Sequence, residues 1–425
     1  MTEPSKQNVH RTGGRREGLG RRLLWVQATA TFLIFFQAFM VAPLIPRLSE
    51  DLGVSPQRIG LVVPAYMIAY GVATLFYGLA SDRWGRKPFM LGSLAVFVVL
   101  TAGTAVAQSA EQLIVWRLAT GIGAAAVVPL ALSLIGAVYP FEQRGRPLGW
   151  LFAAMAGGMA FGSSLGALAE PFIGWRGLFL VVAAASAVIL GGLWLHRDEL
   201  GDEPANPQAT PAKLLHGFRR ILSSTRAKAT YGYVALNSIF HAGVFTWFGL
   251  YFAERYGLGE IGIALAIIGY GVPGFVFGPW IGRAADRWGR RHILPIGLAV
   301  GAAGAAGLIP TGGVIYAAVA VLVVSLGYDL TQPLLAGIVT DIGGPKRAGQ
   351  AMGLNVFILF AGFGLGAYVF GETLALGFNT ALAIFATGEL LLAAAGAWLF
   401  RAERPKHANA IRDSNGADPR RNEQR

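Results

Sequence analysis

The 425 residues contain no cysteine. This excludes a disulfide framework, a thiolate metal site and a catalytic thiol. Charge is scarce as well: only 14% of residues are Asp, Glu, Lys or Arg, where a water-soluble domain carries about 25%. A chain this long with so few charges cannot cover a water-facing surface. The six histidines and 23 acids form no cluster at metal-ligand spacing, so no metal site is expected. No strand-associated glycine loop is present to cradle a nucleotide, which leaves an ATP-driven pump without support. No motif places a Ser, a His and an acid together for nucleophilic catalysis. The chain is therefore expected to be neither an enzyme nor a cofactor binder.

What the chain has in abundance is apolar sequence. Hydrophobic residues make up 54% of it and the mean hydropathy is +0.52. A bilayer-spanning helix takes about 20 apolar residues. Twelve runs fit, at about 22–45, 59–80, 88–109, 112–139, 147–169, 177–196, 230–252, 261–283, 292–309, 314–340, 350–371 and 379–400. All are read as helices, because coil or open sheet cannot satisfy its backbone in lipid. The expected fold is an all-α membrane protein of twelve transmembrane helices in two six-helix bundles. The basic start (Arg15, Arg16, Arg21, Arg22) runs into the first apolar stretch without a small-residue cleavage site. It reads as a first span rather than a cleaved signal.

Lys and Arg set the orientation. With both tails cytoplasmic, the inside loops hold Arg83, Arg86 and Lys87, then Arg144 and Arg146, then Arg283, Arg287, Arg290 and Arg291, then Lys346 and Arg347. The outside loops hold only Arg47, Arg58, Arg176 and Arg255. The net charge of +12 thus reports membrane orientation, and no nucleic-acid partner is expected. The segments read as a basic tail 1–21, a six-helix bundle 22–196, a cytoplasmic linker 197–229, a second bundle 230–400 and a disordered tail 401–425. The linker carries Pro204, Pro207 and Pro211 and a basic amphipathic stretch from Lys213 to Lys228. That stretch suits a helix on an anionic membrane surface, or a partner-binding helix.

The halves repeat. Gly78, Asp82, Arg83, Gly85, Arg86 and Lys87 recur as Gly282, Asp286, Arg287, Gly289, Arg290 and Arg291, at an offset of 204. The same offset carries Tyr66 onto Tyr270, Pro129 onto Pro333 and Gly149 onto Gly353. Each copy of the loop falls between the second and third spans of its half. An ordinary basic loop with turn glycines does not account for the pattern occurring twice. Parallel repeats in transporters place the substrate site near the midplane between the halves.

With these two loops the sequence resembles the major facilitator superfamily, whose signature is Gly-x-x-x-Asp-Arg/Lys-x-Gly-Arg/Lys-Arg/Lys; the resemblance covers about Leu23 to Phe400. It implies that the loops are conformational latches, with Asp82 and Asp286 facing a helix end of the opposite half. A second element, Arg117 followed by Thr120, Gly121, Gly123, Ala124 and Ala125, is similar to the family's antiporter pattern, with Thr120 replacing Gln. The resemblance gives Arg117 a part in proton coupling, with Gln37 as a partner. The alternative is an Arg snorkelling to the outer interface. The third element, Gly149, Gly158, Gly162 and Gly166 in span five, is similar to the antiporter glycine pattern. Ser163 and Ala167 stand where that pattern has Pro and Gly, and plain helix packing is the alternative. Together these elements resemble the drug:proton antiporter branch.

Asp329, in Gly327-Tyr-Asp-Leu-Thr-Gln-Pro333, is the sharpest single candidate. A carboxylate in the middle of a span is costly and is usually functional, which suits a proton carrier; a structural acid neutralised by a neighbour is the alternative. Pro333 is expected to loosen the helix just beyond it. His241 and Asn237 lie one turn apart in span seven, and His titrates near neutral pH, although a packing role fits equally. Spans one, four, seven and ten line the cavity by resemblance. Cavity candidates are Gln37, Phe36, Tyr66, Tyr70, Asn237, Phe240, Trp247, Gln332 and Asn355, with Phe35, Phe39 and Tyr251 beside them. Glu389 falls in span twelve, a peripheral helix by resemblance.

The expected machine is a proton-coupled secondary transporter of the inner membrane. It works by alternating access, draws on the proton gradient and needs no cofactor. As a monomer it exports small lipophilic or drug-like compounds by antiport. An uptake symporter for a sugar or organic acid, and a transport-inactive sensor or scaffold, are the alternatives.

Overall fold

Left-handed glycines end the first span of each half at matching places. In the computed structural model, which describes residues 6–138, 145–199, 210–401 and 403, Gly53 closes the helix Ile45–Leu52 at φ 63°. Gly257 closes Phe248–Tyr256 at φ 64°. The two lie 204 residues apart, the offset of the sequence repeat. Gly85 (φ 91°) and Gly289 (φ 81°) turn the chain in the two copies of the repeated loop. Residues with a Cβ rarely adopt such angles, so these positions require glycine. Side chains are described from Leu23 onward, with exceptions that include Asp82 and Asp286.

The first span runs from Lys6–Phe39 through a short turn into Ile45–Leu52. Helix therefore begins inside the basic segment expected as a tail. The second comprises Pro56–Gly60 and Val62–Trp84, the third Arg86–Thr104, and the fourth Ala110–Ala124 with Val127–Val138. The fifth and sixth share Gly145–Leu195 and part at Gly174, φ 68°. The seventh is Thr225–Thr246 with Phe248–Tyr256, and the eighth is broken into Glu260–Ile267 and Val272–Trp288. The ninth is Arg290–Gly307. The tenth and eleventh share Val314–Thr373 and part at Gly344, φ 59°. The twelfth is Phe378–Leu399. The chain thus forms twelve spans in two sets of six. Among the described residues eight stretches are long and apolar enough to cross a membrane, and one of them, Pro147–Leu195, holds two spans in its 49 residues.

The outer surface confirms the solvent. Phe76, Val99, Val115, Val188 and Leu391 stand exposed, as hydrocarbon permits and water penalises. Between the halves, Thr210 caps the helix Pro211–Ile221 by accepting from the Lys213 N–H. Phe218 and Ile221 of this helix are buried with Tyr231, Val339, Ala351 and Leu354. The linker helix therefore docks Phe218 and Ile221 on the C-terminal bundle, while Leu215 stands exposed. The acidic, proline-bearing part of the linker, residues 200–209, and the tail beyond Glu403 lie outside the described residues.

The fifth span lies close along the first. A Cβ placed on Gly158 would come 2.6 Å from the Phe32 carbonyl oxygen, one on Gly162 2.5 Å from that of Phe36, and one on Gly166 2.8 Å from Met40. Gly149 has open space instead. Three of the four glycines thus act as close-packing residues. Gly162→Val is expected to lower the thermal midpoint of the detergent-solubilised protein markedly, since overpacking costs about 1–3 kcal/mol. Gly149→Ala is expected to leave it unchanged.

Candidate functional site

Aromatic side chains of both halves meet at the seam. Phe39 of the first span lies 5.6 Å from Phe245 and 6.3 Å from Phe363 between ring centres. Phe35 lies 6.0 Å from Phe360, and Tyr70 of the second span 4.3 Å from the same ring. On the face away from the termini, Trp247 donates its indole N–H to the Ala367 carbonyl at 3.0 Å. Its ring lies so close over Gly60 and Gly371 that a Cβ on either would come within 2.5 Å. Gly249 rests on Pro43 in the same way, with 2.6 Å to the Pro43 carbonyl oxygen. Only glycine lets these elements approach, and they join the two halves tightly at that end.

Five of the cavity candidates are buried without a hydrogen-bond partner for some or all of their polar atoms: the Gln37 amide, the Tyr66 and Tyr70 hydroxyls and the Asn237 and Asn355 amide oxygens. An unmade buried hydrogen bond costs about 1–3 kcal/mol, so such atoms mark a place where a polar ligand group gains on binding. Asn355 otherwise meets only the Met352 sulfur, at 3.8 Å.

Arg117 is fully buried. It donates to the backbone carbonyls of Val62 at 3.4 Å, Gln37 at 3.4 Å and Ala38 at 3.2 Å. Its guanidinium stacks 4.2 Å from the Tyr66 ring centre. The snorkelling alternative is thereby excluded. Gln37 is its partner through the backbone, while the Gln37 side chain remains unpaired. Thr120, in the place of the family's Gln, bonds within its own helix to Trp116.

Asp329 sits against the break in the eighth span. Its Oδ2 is 3.4 Å from the Ser325 hydroxyl, which accepts the Gly271 N–H at 2.8 Å. The backbone of Gly274 faces the same carboxylate so closely that a Cβ there would overlap it. The break, with Gly271 at φ 90°, lies in span eight, and the tenth span stays helical through Pro333. The loosening expected at Pro333 is thus found one helix away, where Gly269, Gly271, Pro273 and Gly274 crowd together.

The remaining candidates divide between packing and polar layers. His241 is buried with both ring nitrogens unpaired, between Phe240, Tyr328 and Gly301. Asn237 donates to Thr331 at 3.0 Å and Gln332 to Ser238 at 3.5 Å, so spans seven and ten are laced together. Phe36 packs on Phe32 and Gly162, away from the aromatic seam. Tyr251 donates to Leu308 at 2.8 Å inside its own half. Glu389 is buried with one oxygen unpaired and so faces protein rather than lipid.

In the repeated loops, Lys87 pairs with Asp198 at the start of the linker at 3.4 Å and Arg290 with Asp341 at 2.6 Å, and neither pair joins one bundle to the other. Arg83 lies over Trp84 at 5.2 Å. The Nε atoms of Arg86 and Arg291 are buried and unpaired, and Arg287 is exposed. A Cβ on Gly78 would meet open space. The side chains of Asp82 and Asp286 and the surroundings of Gly282 lie outside the described residues.

The family profile described as Major Facilitator Superfamily matches residues 28–367 and, again, 260–420. The chain belongs to the major facilitator superfamily: it is a multi-pass membrane transporter and not an enzyme. It is 26% identical over 338 residues to Multidrug resistance protein 1 of Bacillus subtilis, covering 78% of this chain and 84% of that one. It is 28% identical over 411 residues to the Cephamycin export protein CmcT of Amycolatopsis lactamdurans, covering 80% and 83%. The fold superposes on a bacterial homologue of the human lysosomal transporter Spinster, in an inward-facing and unoccupied conformation. There the TM-score is 0.72 at 16% identity, over 91% of this chain and 98% of that one.

Proposed function

We propose that this transporter exports small lipophilic or drug-like compounds in exchange for protons, by alternating access, from the inner membrane and with both termini cytoplasmic. The observation that carries the reading is Asp329. It is an acid inside the membrane region that makes no ion pair among the described residues and sits on the break of a helix at the seam between halves. Acids of this kind in spanning helices serve proton relays. The seam itself is aromatic, and the cavity candidates Gln37, Tyr66, Tyr70, Asn237 and Asn355 carry unpaired polar atoms. That combination suits an apolar compound with one or two polar groups better than a polyanion. The relatives named for multidrug resistance and cephamycin export point in the same direction. The loops around Gly85 and Gly289 then act as latches between the two states, and one chain forms the working unit.

The test is accumulation of a panel of fluorescent lipophilic compounds in cells with and without the protein. Export predicts lower accumulation that an uncoupler restores. Higher accumulation on expression would reverse the direction in favour of the uptake symporter. No change for any compound would sink the drug-export reading.

A further inference from the structure

We propose that Ser325 is a positioning residue that couples the charge of Asp329 to the angle of the eighth span, and through that span to the contact between the two halves. The inference rests on the reading of Asp329 as the proton carrier.

A helix that starts within the membrane leaves its first N–H groups without intrahelical partners, and its N-terminus carries partial positive charge. The second segment of span eight, Val272–Trp288, starts in this way beside Asp329. The Gly271 N–H donates to the Ser325 hydroxyl at 2.8 Å, and that hydroxyl donates onward to Asp329 Oδ2 at 3.4 Å, beside a direct bond from the Gly274 backbone to the same carboxylate. The result is a short relay from the break in one helix to a carboxylate on another. Ser325 is itself buried. The relay is charge-assisted while Asp329 is ionised, and such bonds are about twice as strong as neutral ones. Taking up a proton removes that assistance and slackens the hold on the break.

The opposite side of the break touches the other half. A Cβ on Gly271 would overlap Ala160 of the fifth span, so the backbone of span eight lies directly on span five at this point. A change of angle at Gly271 therefore moves the junction between halves, as a hinge of a few residues does. The titratable groups around the carboxylate are the phenols of Tyr270 on span eight and Tyr328 on span ten. From span seven, the His241 ring lies 5.2 Å from that of Tyr328. Asp329 has no ion pair among the described residues, so its own charge is what the relay responds to.

The chain has no native cysteine, so a pair introduced at the exposed residues Phe152 and Trp280 takes spin labels at those two sites alone. Distances between the labels are measured by pulsed electron paramagnetic resonance in liposomes from pH 5 to pH 9. In the otherwise unaltered protein the distance distribution is expected to shift with pH. Gly274 also bonds Asp329 directly through its backbone, so Ser325→Ala is expected to lose a measurable part of that shift and not all of it, while Ser325→Thr, which keeps the hydroxyl, retains it in full. This comparison separates loss of the relay from loss of the fold. Ser325→Ala with the full shift would overturn the relay and leave the proton-carrier reading standing. A full shift in Asp329→Asn would overturn the proton-carrier reading and the relay with it, as would an unaltered protein indifferent to pH.

Discussion

Asp329→Asn abolishes energised transport while leaving insertion intact. The initial rate of proton-driven movement is expected to fall at least tenfold, with the variant still reaching the membrane at the parent level. Asn has nearly the shape of Asp but cannot ionise, and it presents an NH2 donor where the carboxylate offers only acceptors. It thus fills the space beside Gly274 and Ser325 while removing both the titration and the charge at the break of span eight. Exchange that needs no proton step is the function such a variant retains. Initial rates in energised vesicles, with the membrane fraction quantified on the same preparation, check the expectation. Proton-driven transport at the parental rate would remove Asp329 from the mechanism.

Arg117→Lys loses both stability and transport, although the charge is conserved. Arg117 reaches three carbonyls on two helices, those of Gln37 and Ala38 on the first span and Val62 on the second, and lies over the Tyr66 ring at 4.2 Å from its centre. A planar guanidinium with five donors can span those acceptors, whereas an ammonium is a compact point charge that cannot. The Gln37 and Ala38 carbonyls lie at the end of the first helix, and each of them left without a donor costs about 1–3 kcal/mol. The expected result is a thermal midpoint several degrees lower, read from tryptophan fluorescence in detergent, and a transport rate reduced by about an order of magnitude, the tenfold factor that 1.4 kcal/mol represents. A Lys variant with the parental midpoint and rate would mean that the bridge between spans one and two is dispensable.

The architecture was legible because a membrane makes two demands that sequence records directly: apolar length and the side on which Lys and Arg stand. The repeat was legible for a further reason. The glycines of the recurring loop are required by backbone angle, at Gly85 and Gly289 alike, and such a requirement persists where side chains drift. Gly53 and Gly257, which end matching helices at the same offset, carry the same signal and were within reach of the same comparison.

What could not be read was which face of each helix meets which neighbour. The sequence names Gln37 as a partner for Arg117, and it is the backbone carbonyl of Gln37 that performs that role, a distinction no residue pattern makes. The linker helix has the amphipathic pattern of a membrane-surface helix, but its Phe218 and Ile221 are buried with Val339 and Leu354 from distant sequence. The break in span eight was announced by Gly269, Gly271, Pro273 and Gly274 within six residues, a run rich in turn formers. Its apolar neighbours masked it as an ordinary span. Its pairing with Ser325 and Asp329 emerges only from the packing of span eight against span ten.

Proton exchange is the central claim, and liposomes holding the purified protein and an entrapped pH indicator test it most directly. They are loaded with the fluorescent compound that the accumulation panel selects and placed under an imposed pH gradient. The account predicts that the compound moves against its own gradient, that protons move the opposite way at the same time, and that Asp329→Asn stops both. Movement of the compound that is indifferent to the pH gradient, with no change in internal pH, would contradict it.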